Sequence, residues 1–348
     1  MKEKNQKMDT ENKIPVTILT GFLGAGKTTL LNNIIKKYPQ KKFAVIENEF
    51  GQEGIDGGLI IGDVSKIIEL SNGCICCNLS DDLQKVLDNL LSSKYTFNHL
   101  IIETTGIADP AGVIDSFVAY QEFRDKFVMD SVICLADAQT YEDSALEQPE
   151  VHRQLAVSDI VLLNKIEDVT PEYGEKIKSI LKSVNPNAKL YCVSHAKIDN
   201  IDIIDTFYYT AQNIEKTVMD FKNLSPMKIS AVNQSPSFAV KPENASKLKH
   251  DIVSEGFTIY GDLNEEKFVR WIQAVLQYNS ATIFRIKGIL SIKNNPQKLI
   301  FQSVREFFLV EGSSLWAQDE QRFTKLIFIG KKINREAIEG YLKSFIEQ

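Results

Sequence analysis

The segment from Gly21 to Thr29 constrains this chain more than any other, because it fits the pattern GxxxxGK followed by Ser or Thr. A β-branched apolar run at residues 16–20 precedes it and predicts a buried strand. Apolar residues at helical spacing follow it and predict a helix that begins where the loop ends. Strand, glycine loop and helix in this order are typical of a phosphate-binding P-loop. A flexible glycine turn that only resembles the motif is the alternative.

Each part of this loop has an expected role at a nucleoside triphosphate. The glycines allow several backbone N–H groups to point at the phosphates, and the following helix adds its positive N-terminal end. Lys27 is expected to contact the β- and γ-phosphates, and the hydroxyl of Thr28 is expected to ligate the accompanying Mg²⁺. The expected nucleotide-binding residues of the loop are Gly24, Ala25, Gly26, Lys27, Thr28 and Thr29.

Length and composition favour a globular protein of two domains. The 348 residues can bury a large core, and 43% hydrophobic and 25% charged residues are ordinary values. A net charge of −6 argues against a general nucleic-acid or membrane-surface binder, and no apolar run is long enough to span a bilayer. Three of the five cysteines are clustered, which is no disulfide framework. We therefore expect a cytoplasmic protein without nucleic-acid or membrane partners.

The order of predicted elements changes along the chain and indicates two architectures. Up to residue 193, apolar runs that predict strands alternate with helical stretches, which favours a mostly parallel, doubly wound α/β sheet. From residue 265, two helical segments at 265–276 and 334–345 enclose strand-like runs, which favours a smaller α+β domain with a mainly antiparallel sheet. Those runs are residues 282–286, 290–292, 299–303, 307–310 and 325–329.

The same pattern predicts the domain boundaries. Residues 1–13 are charged, lack the apolar stretch of a secretory signal and are expected to form a disordered tail. The P-loop domain is expected over residues 14–215, and the C-terminal domain over residues 237–348. A polar stretch with Pro226 and Pro236 suggests a linker, assigned to residues 216–236.

Acidic residues follow two of the predicted strands. Glu103 ends an apolar strand and Gly106 stands three positions later, as in the second phosphate and Mg²⁺ loop of P-loop enzymes. We expect Glu103 to be catalytic together with Lys27 and Thr28, and Gly106 to bind the nucleotide. Glu47 follows another strand, and the carboxyl ends of strands in open α/β sheets are where ligands bind.

Asn164, Lys165 and Glu167 resemble the NKxD element with which GTPases read guanine. A carboxylate at the fourth position can accept from the N1–H and 2-amino groups of guanine, which adenine does not present, and Asn164 can meet O6 and N7. Glu167 is one methylene longer than Asp and Asp168 stands beside it, so either carboxylate could contact the base. An ordinary turn at a strand end is the alternative. Ser194, after the last strand of the sheet, completes the expected nucleotide-binding residues.

Cys74, Cys76 and Cys77 form a CxCC motif after a short predicted strand. Clustered thiols suit a borderline cation such as Zn²⁺, bound as thiolates in tetrahedral geometry. Three thiols this close cannot all reach one ion without strain, and small inert buried thiols are the alternative. A carboxylate after the second strand could supply a further ligand: Glu47, Glu49 or Glu53.

Several segments together resemble the CobW-type GTPases, P-loop metallochaperones related to the urease and hydrogenase maturation GTPases. They are residues 19–29, 46–51, 73–77, 103–110 and 163–165, with residues 284–290 and 301–302 resembling the C-terminal domain of that family. Two features depart from the family pattern: Glu167 stands in place of the usual Asp, and the chain has no histidine-rich segment.

The resemblance implies a GTP-hydrolysing metallochaperone that delivers a transition metal to a client protein. Zn²⁺ is the expected metal on Cys74, Cys76 and Cys77, with Co²⁺ or Ni²⁺ also open, and Mg²⁺ is expected with the nucleotide, which Thr28 would ligate. A nucleotide-dependent homodimer is a further expectation. Two other classes stay open: a zinc storage or sensor protein with a vestigial GTPase, and a small-molecule kinase, against which Asn164 and Lys165 argue.

Overall fold

The computed structural model describes residues 13–47, 67–71, 79–92, 94, 96–221 and 252–347. Within them, seven strands form one parallel sheet: β1 (Ile14–Gly21), β2 (Phe43–Glu47), β3 (Ile67–Ser71), β4 (His99–Glu103), β5 (Phe127–Asp137), β6 (Ile160–Asn164) and β7 (Lys189–Cys192). Their order is β3-β2-β4-β1-β5-β6-β7, so β1 is central, with β2, β3 and β4 on one side and β5, β6 and β7 on the other. The predicted doubly wound α/β architecture is confirmed.

The inner strands of this sheet, such as β4 and β6, are near-continuous apolar runs, because helices cover a parallel sheet and leave it buried. The edge strand β7 is only partly buried. All five residues of β6 are buried, as are the first four of β4. The helices of this half are α1 (Lys27–Lys37), α2 (Leu79–Ser92), α3 (Ala111–Ala119), α4 (Gln121–Lys126), α5 (Tyr141–Glu147), α6 (Pro149–Val157) and α7 (Pro171–Val184).

The second half is an antiparallel sheet with helices, as predicted. Its strands are β8 (Ile252–Tyr260), β10 (Ile283–Leu290), β11 (Gln297–Val304), β12 (Phe307–Leu315) and β13 (Phe323–Lys331), in the order β12-β11-β10-β13-β8. Two short strands, β9 (Asp262–Leu263) and β14 (Ile346–Glu347), pair with each other. Helices α9 (Glu265–Asn279) and α10 (Arg335–Ser344) bury Phe268, Ile272 and Leu342 in one core with residues of the sheet.

Three details differ from the sequence prediction. The run at 282–286 does not end a strand: β10 continues through the buried Lys287 to Leu290, where the run at 290–292 begins. Strand β8 carries no apolar run and was not predicted, since Glu255 and Gly256 break its pattern. Helix α8 (Ala211–Asp220) crosses the expected boundary at residues 215 and 216, with Ile214 and Val218 packed on the second sheet.

The two sheets share a buried interface. Ile252, Phe284, Val304 and Ile329 of the second sheet belong to the same hydrophobic cluster as the core of the first half. A bulge at the start of β10 shifts its register, so that Phe284 and Arg285 both face this interface although they are neighbours in the chain.

Candidate nucleotide-binding site

The chemistry-bearing residues lie along one edge of the parallel sheet. Glu103 pairs in register with Leu19 of β1 and with Glu47 of β2, and Asp137 pairs with Asn164. The glycine loop leaves β1 at the same edge. The carboxyl ends of these neighbouring strands therefore form the kind of crevice that binds ligands in open α/β sheets.

The backbone of the glycine loop requires glycine at its end. Gly26 has a φ of 104°, and a Cβ atom there would lie 2.7 Å from Nδ2 of Asn164, so a side chain meets both strain and a clash. Gly26 also precedes α1, which has neither a side-chain cap nor an acidic residue in its first turn. The first N–H groups of the helix therefore lie where an anion can accept from them.

Lys27 and Thr28 begin α1 and reach different parts of the loop. The Lys27 side chain is only 8% exposed, and its Nζ donates to the carbonyl oxygens of Gly21 at 3.0 Å and Phe22 at 3.5 Å. The Thr28 hydroxyl donates to Oε1 of Glu103 at 3.5 Å. The structure thus brings the three expected catalytic side chains to one end of α1. A hydroxyl and a carboxylate are hard oxygen ligands, and this pair fits Mg²⁺.

Asn164 joins two loops of the site. It is only 2% exposed; its Nδ2 donates to the Ala25 carbonyl at 2.9 Å, and its Oδ1 accepts from the Ala196 N–H at 2.7 Å. Both polar atoms therefore bond to backbone, one in the P-loop and one after β7. A direct contact of Asn164 with guanine stays a prediction, whereas this bridging role was not foreseen, because the two partners are far from Asn164 in sequence.

Glu167 lies in a short 3₁₀ turn (Ile166–Asp168) and faces the loop after β7. Its Oε1 accepts from the His195 N–H at 3.3 Å. Slight desolvation would raise the pKa of Glu167, but hydrogen bonds from its own N–H, the Ser194 hydroxyl and the His195 N–H hold that pKa below the usual range. Glu167 is therefore an ionised acceptor beside Ser194.

Lys165 precedes that turn in a left-handed conformation with a φ of 58°. Its Nζ contacts Oδ2 of Asp137 at 2.7 Å, and Oδ1 of the same carboxylate accepts from the Gln139 N–H. Asp137 ends β5, and from the sequence it could be a helix N-cap as easily as a site residue. Its position at a strand end is the signal that points to it.

The predicted metal site falls outside the described residues. This holds for Cys74, Cys76 and Cys77, for Glu49 and Glu53, and for the side chain of Glu47. Among the residues that are described, no group of three His, Cys, Asp or Glu side chains could hold a metal ion. In the same part of the chain, no helix is long and apolar enough to cross a membrane.

Comparison with known families gives two matches that together span most of the chain. Residues 15–192 match the CobW/HypB/UreG nucleotide-binding domain. Residues 252–346 match the C-terminal domain of the cobalamin synthesis protein CobW. The two matches correspond to the parallel and the antiparallel sheet.

Individual relatives are similar over nearly the whole chain. The zinc chaperone YjiA of Escherichia coli (strain K12) is 32% identical over 333 residues, which cover 94% of this chain and 98% of that protein. The zinc-regulated GTPase metalloprotein activator 1 of Schizosaccharomyces pombe is 27% identical, over 94% of this chain and 84% of that protein. The crystal structure of Zn(II)-bound YjiA GTPase matches with a TM-score of 0.66 and 29% identity, over 97% of this chain and 100% of that chain.

Proposed function

The chain belongs to the CobW/HypB/UreG family and carries a CobW C-terminal domain, and on this premise we propose that it hydrolyses GTP and carries zinc to a client metalloprotein. The observation that carries the GTP assignment is the bridge made by Asn164. That side chain ties the P-loop at Ala25 to the loop at Ala196, and the ionised Glu167 stands beside the latter loop. The P-loop and the loops proposed to read the base are thereby linked to each other.

The roles of the residues at the phosphates follow from their positions. The N–H groups at the start of α1 and the Lys27 ammonium bind and orient the phosphates and stabilise the negative charge that develops during hydrolysis. Thr28 and Glu103 would hold Mg²⁺, which neutralises phosphate charge when bound. Glu103 would also lie near the γ-phosphate and orient the attacking water. The first test is phosphate release from GTP compared with ATP.

Glu167 is expected to select guanine over adenine. Glu167→Ala removes the charged acceptor and should lower the ratio of GTP to ATP affinity by roughly 10- to 150-fold, because a hydrogen bond to a charged group is worth about 1.5–3 kcal/mol. Glu167→Asp should keep or sharpen the ratio. The measurement is competition of GTP and ATP against a fluorescent guanine nucleotide.

Asp168→Ala is the matched control for this prediction, because it removes a neighbouring carboxylate from the same 3₁₀ turn. It should leave the discrimination unchanged. An eroded ratio in Asp168→Ala, with wild-type behaviour in Glu167→Ala, would instead assign the base contact to Asp168.

The zinc assignment is supported by the names of the relatives and by the topology of the sheet. YjiA and CobW of Pseudomonas aeruginosa are both named zinc chaperones. Strand β3 ends beside β2, which ends beside β4, since Glu47 pairs with both Ser71 and Glu103. The CxCC motif begins three positions after Ser71 in the sequence. We propose that its thiolates hold the cargo ion and that nucleotide state changes their affinity for it.

Zinc affinity should therefore depend on the nucleotide. Typical coupling free energies of about 1–3 kcal/mol correspond to a roughly 5- to 150-fold change in Zn²⁺ affinity between the GDP and GTP-analogue states. Cys76→Ser should lower the affinity and flatten this dependence while GTP still binds. The measurement is Zn²⁺ competition against a calibrated chelator in the apo, GDP and GTP-analogue states.

Cys192→Ser is the control, because Cys192 is an exposed free thiol outside the motif. It should change neither the Zn²⁺ affinity nor its dependence on nucleotide. Equal Zn²⁺ affinity in all three states of the wild type would refute coupling and leave a GTPase that merely contains a metal site.

A further inference from the structure

The side chain of Gln154 is hydrogen-bonded to the loop that follows β4. It lies in α6 and is fully buried, at 0% exposure. Its Nε2 donates to the carbonyl oxygens of Gly106 and Ala108, each at 3.0 Å. Only the amide nitrogen can serve two carbonyl acceptors, so these bonds fix the orientation of the side-chain amide. One side chain therefore fixes the orientation of two peptide groups in the loop.

The same loop is in close contact with the P-loop on its other side. A Cβ atom added at Gly106 would lie 2.6 Å from both N and Cγ of Leu23, so the loop backbone packs directly on the P-loop. The segment around Gly106 is thus confined between Leu23 and Gln154. Because this loop is closely packed on both sides, a shift of its backbone at Gln154 also shifts it against the P-loop.

The direction of the two carbonyl groups determines where the neighbouring N–H groups point. In a trans peptide the C=O and the following N–H lie in one plane and point in opposite directions. Because the Gly106 and Ala108 carbonyls point to Gln154, the N–H groups of Ile107 and Asp109 point away from α6. Gln154 therefore fixes the direction of the Ile107 and Asp109 N–H groups.

Burying the polar side chain of Gln154 costs free energy of folding unless hydrogen bonds compensate for it. Its Oε1 is buried and accepts no hydrogen bond from the described part of the chain. An amide oxygen in that state costs stability. The two bonds to the loop offset that cost, and their effect is on the loop rather than on the packing of α6.

We propose that Gln154 is a positioning residue for the γ-phosphate: it fixes the loop from Gly106 to Asp109 so that the N–H groups of Ile107 and Asp109 meet the terminal phosphate of GTP. This rests on the proposed GTPase function. In this role Gln154 acts through the loop backbone to which it is bonded. GDP has no γ-phosphate, so the proposal predicts that Gln154 affects the binding of GTP but not that of GDP.

Gln154→Met tests this, because methionine has a similar volume and makes neither bond. Affinity for a non-hydrolysable GTP analogue and kcat should each fall by roughly 5- to 150-fold, the effect of losing two hydrogen bonds. Affinity for GDP should stay within about 2-fold of wild type, because ordinary mutational scatter is of that size. Gln154→Glu, which keeps the shape but sets a carboxylate against two carbonyls, should act in the same direction and serves if the Met variant does not fold.

Ser158→Ala is the matched structural control. Its hydroxyl donates to the backbone carbonyl of Gln154 at 2.6 Å, so its loss perturbs the same end of α6 without touching the loop. This variant should lower thermal stability and leave the ratio of GDP to GTP-analogue affinity unchanged. Equal losses for GDP and the analogue in folded Gln154→Met, or a wild-type ratio with wild-type kcat, would overturn the proposal. Wild-type protein that neither binds nor hydrolyses GTP would overturn the proposed function itself.

Discussion

Lys27→Ala is expected to reduce GTP hydrolysis by roughly 10²- to 10³-fold, the usual effect of removing one preorganised donor from a developing charge. The Lys27 side chain is 8% exposed, so its ammonium acts in a site from which water is largely excluded. Electrostatic interactions are stronger there than at the surface, because the effective dielectric constant is lower. Phosphate release at saturating GTP measures the effect.

Lys36→Ala provides the control for this loss. Lys36 is exposed on the last turn of the same helix, so the substitution removes an equal charge far from the loop. It should leave turnover unchanged. Since Nζ of Lys27 also bonds to the carbonyls of Gly21 and Phe22, thermal unfolding of Lys27→Ala must accompany the assay. Wild-type turnover in a folded Lys27→Ala protein would mean that hydrolysis occurs elsewhere.

The sequence predicted the parallel sheet well, because its signals are local. Strands such as β6 are buried along their whole length and read as apolar runs, and the residue after each run falls at the ligand-binding edge. Glu103 could therefore be expected near Thr28, and the structure has the two side chains in contact. Glycine loop, acidic strand end and Asn-Lys turn are each readable within a few residues.

The remaining features depend on partners that are distant in sequence. Gln154 bonds to the Gly106 carbonyl 48 positions away, and Asn164 bonds to Ala25 across 139 positions. A buried glutamine on a helix has no pattern that separates it from an exposed one. For the same reason Lys287 reads as a break in a strand, although it is buried in the middle of β10.

The interface between the two sheets contains a buried charge cluster centred on Asp159. Its Oδ1 accepts from Nη2 of Arg285 at 2.8 Å and from Nζ of Lys287 at 2.9 Å, and its Oδ2 accepts from the Val132 N–H. Burial alone would raise the pKa of Asp159, but the two cations outweigh it and hold that pKa below the usual range. One carboxylate thus compensates two buried cations.

Asp159→Ala should destabilise the protein by about 3–5 kcal/mol, because removing one partner of a buried ion pair leaves uncompensated charge in the interior. The free energy of unfolding in urea measures this. Lys287→Met is the informative comparison, since it keeps the Arg285–Asp159 pair and removes the surplus cation. We expect it to be close to neutral or stabilising. An Asp159→Ala protein as stable as wild type would show that the interface does not depend on this cluster.

The comparison of wild type with Lys287→Met also predicts that their difference in stability depends on pH. Burial, followed by the charge of Arg285, lowers the pKa of Lys287 from 10.5 to about 8. Between these two values the unfolded chain holds a proton that the folded protein has released, so the contribution of Lys287 to stability rises with pH across this window. Below about pH 8 the ammonium stays buried at a cost in stability. The stability of wild type relative to Lys287→Met should therefore increase from pH 8 to 10, and a constant difference would contradict a depressed pKa for Lys287.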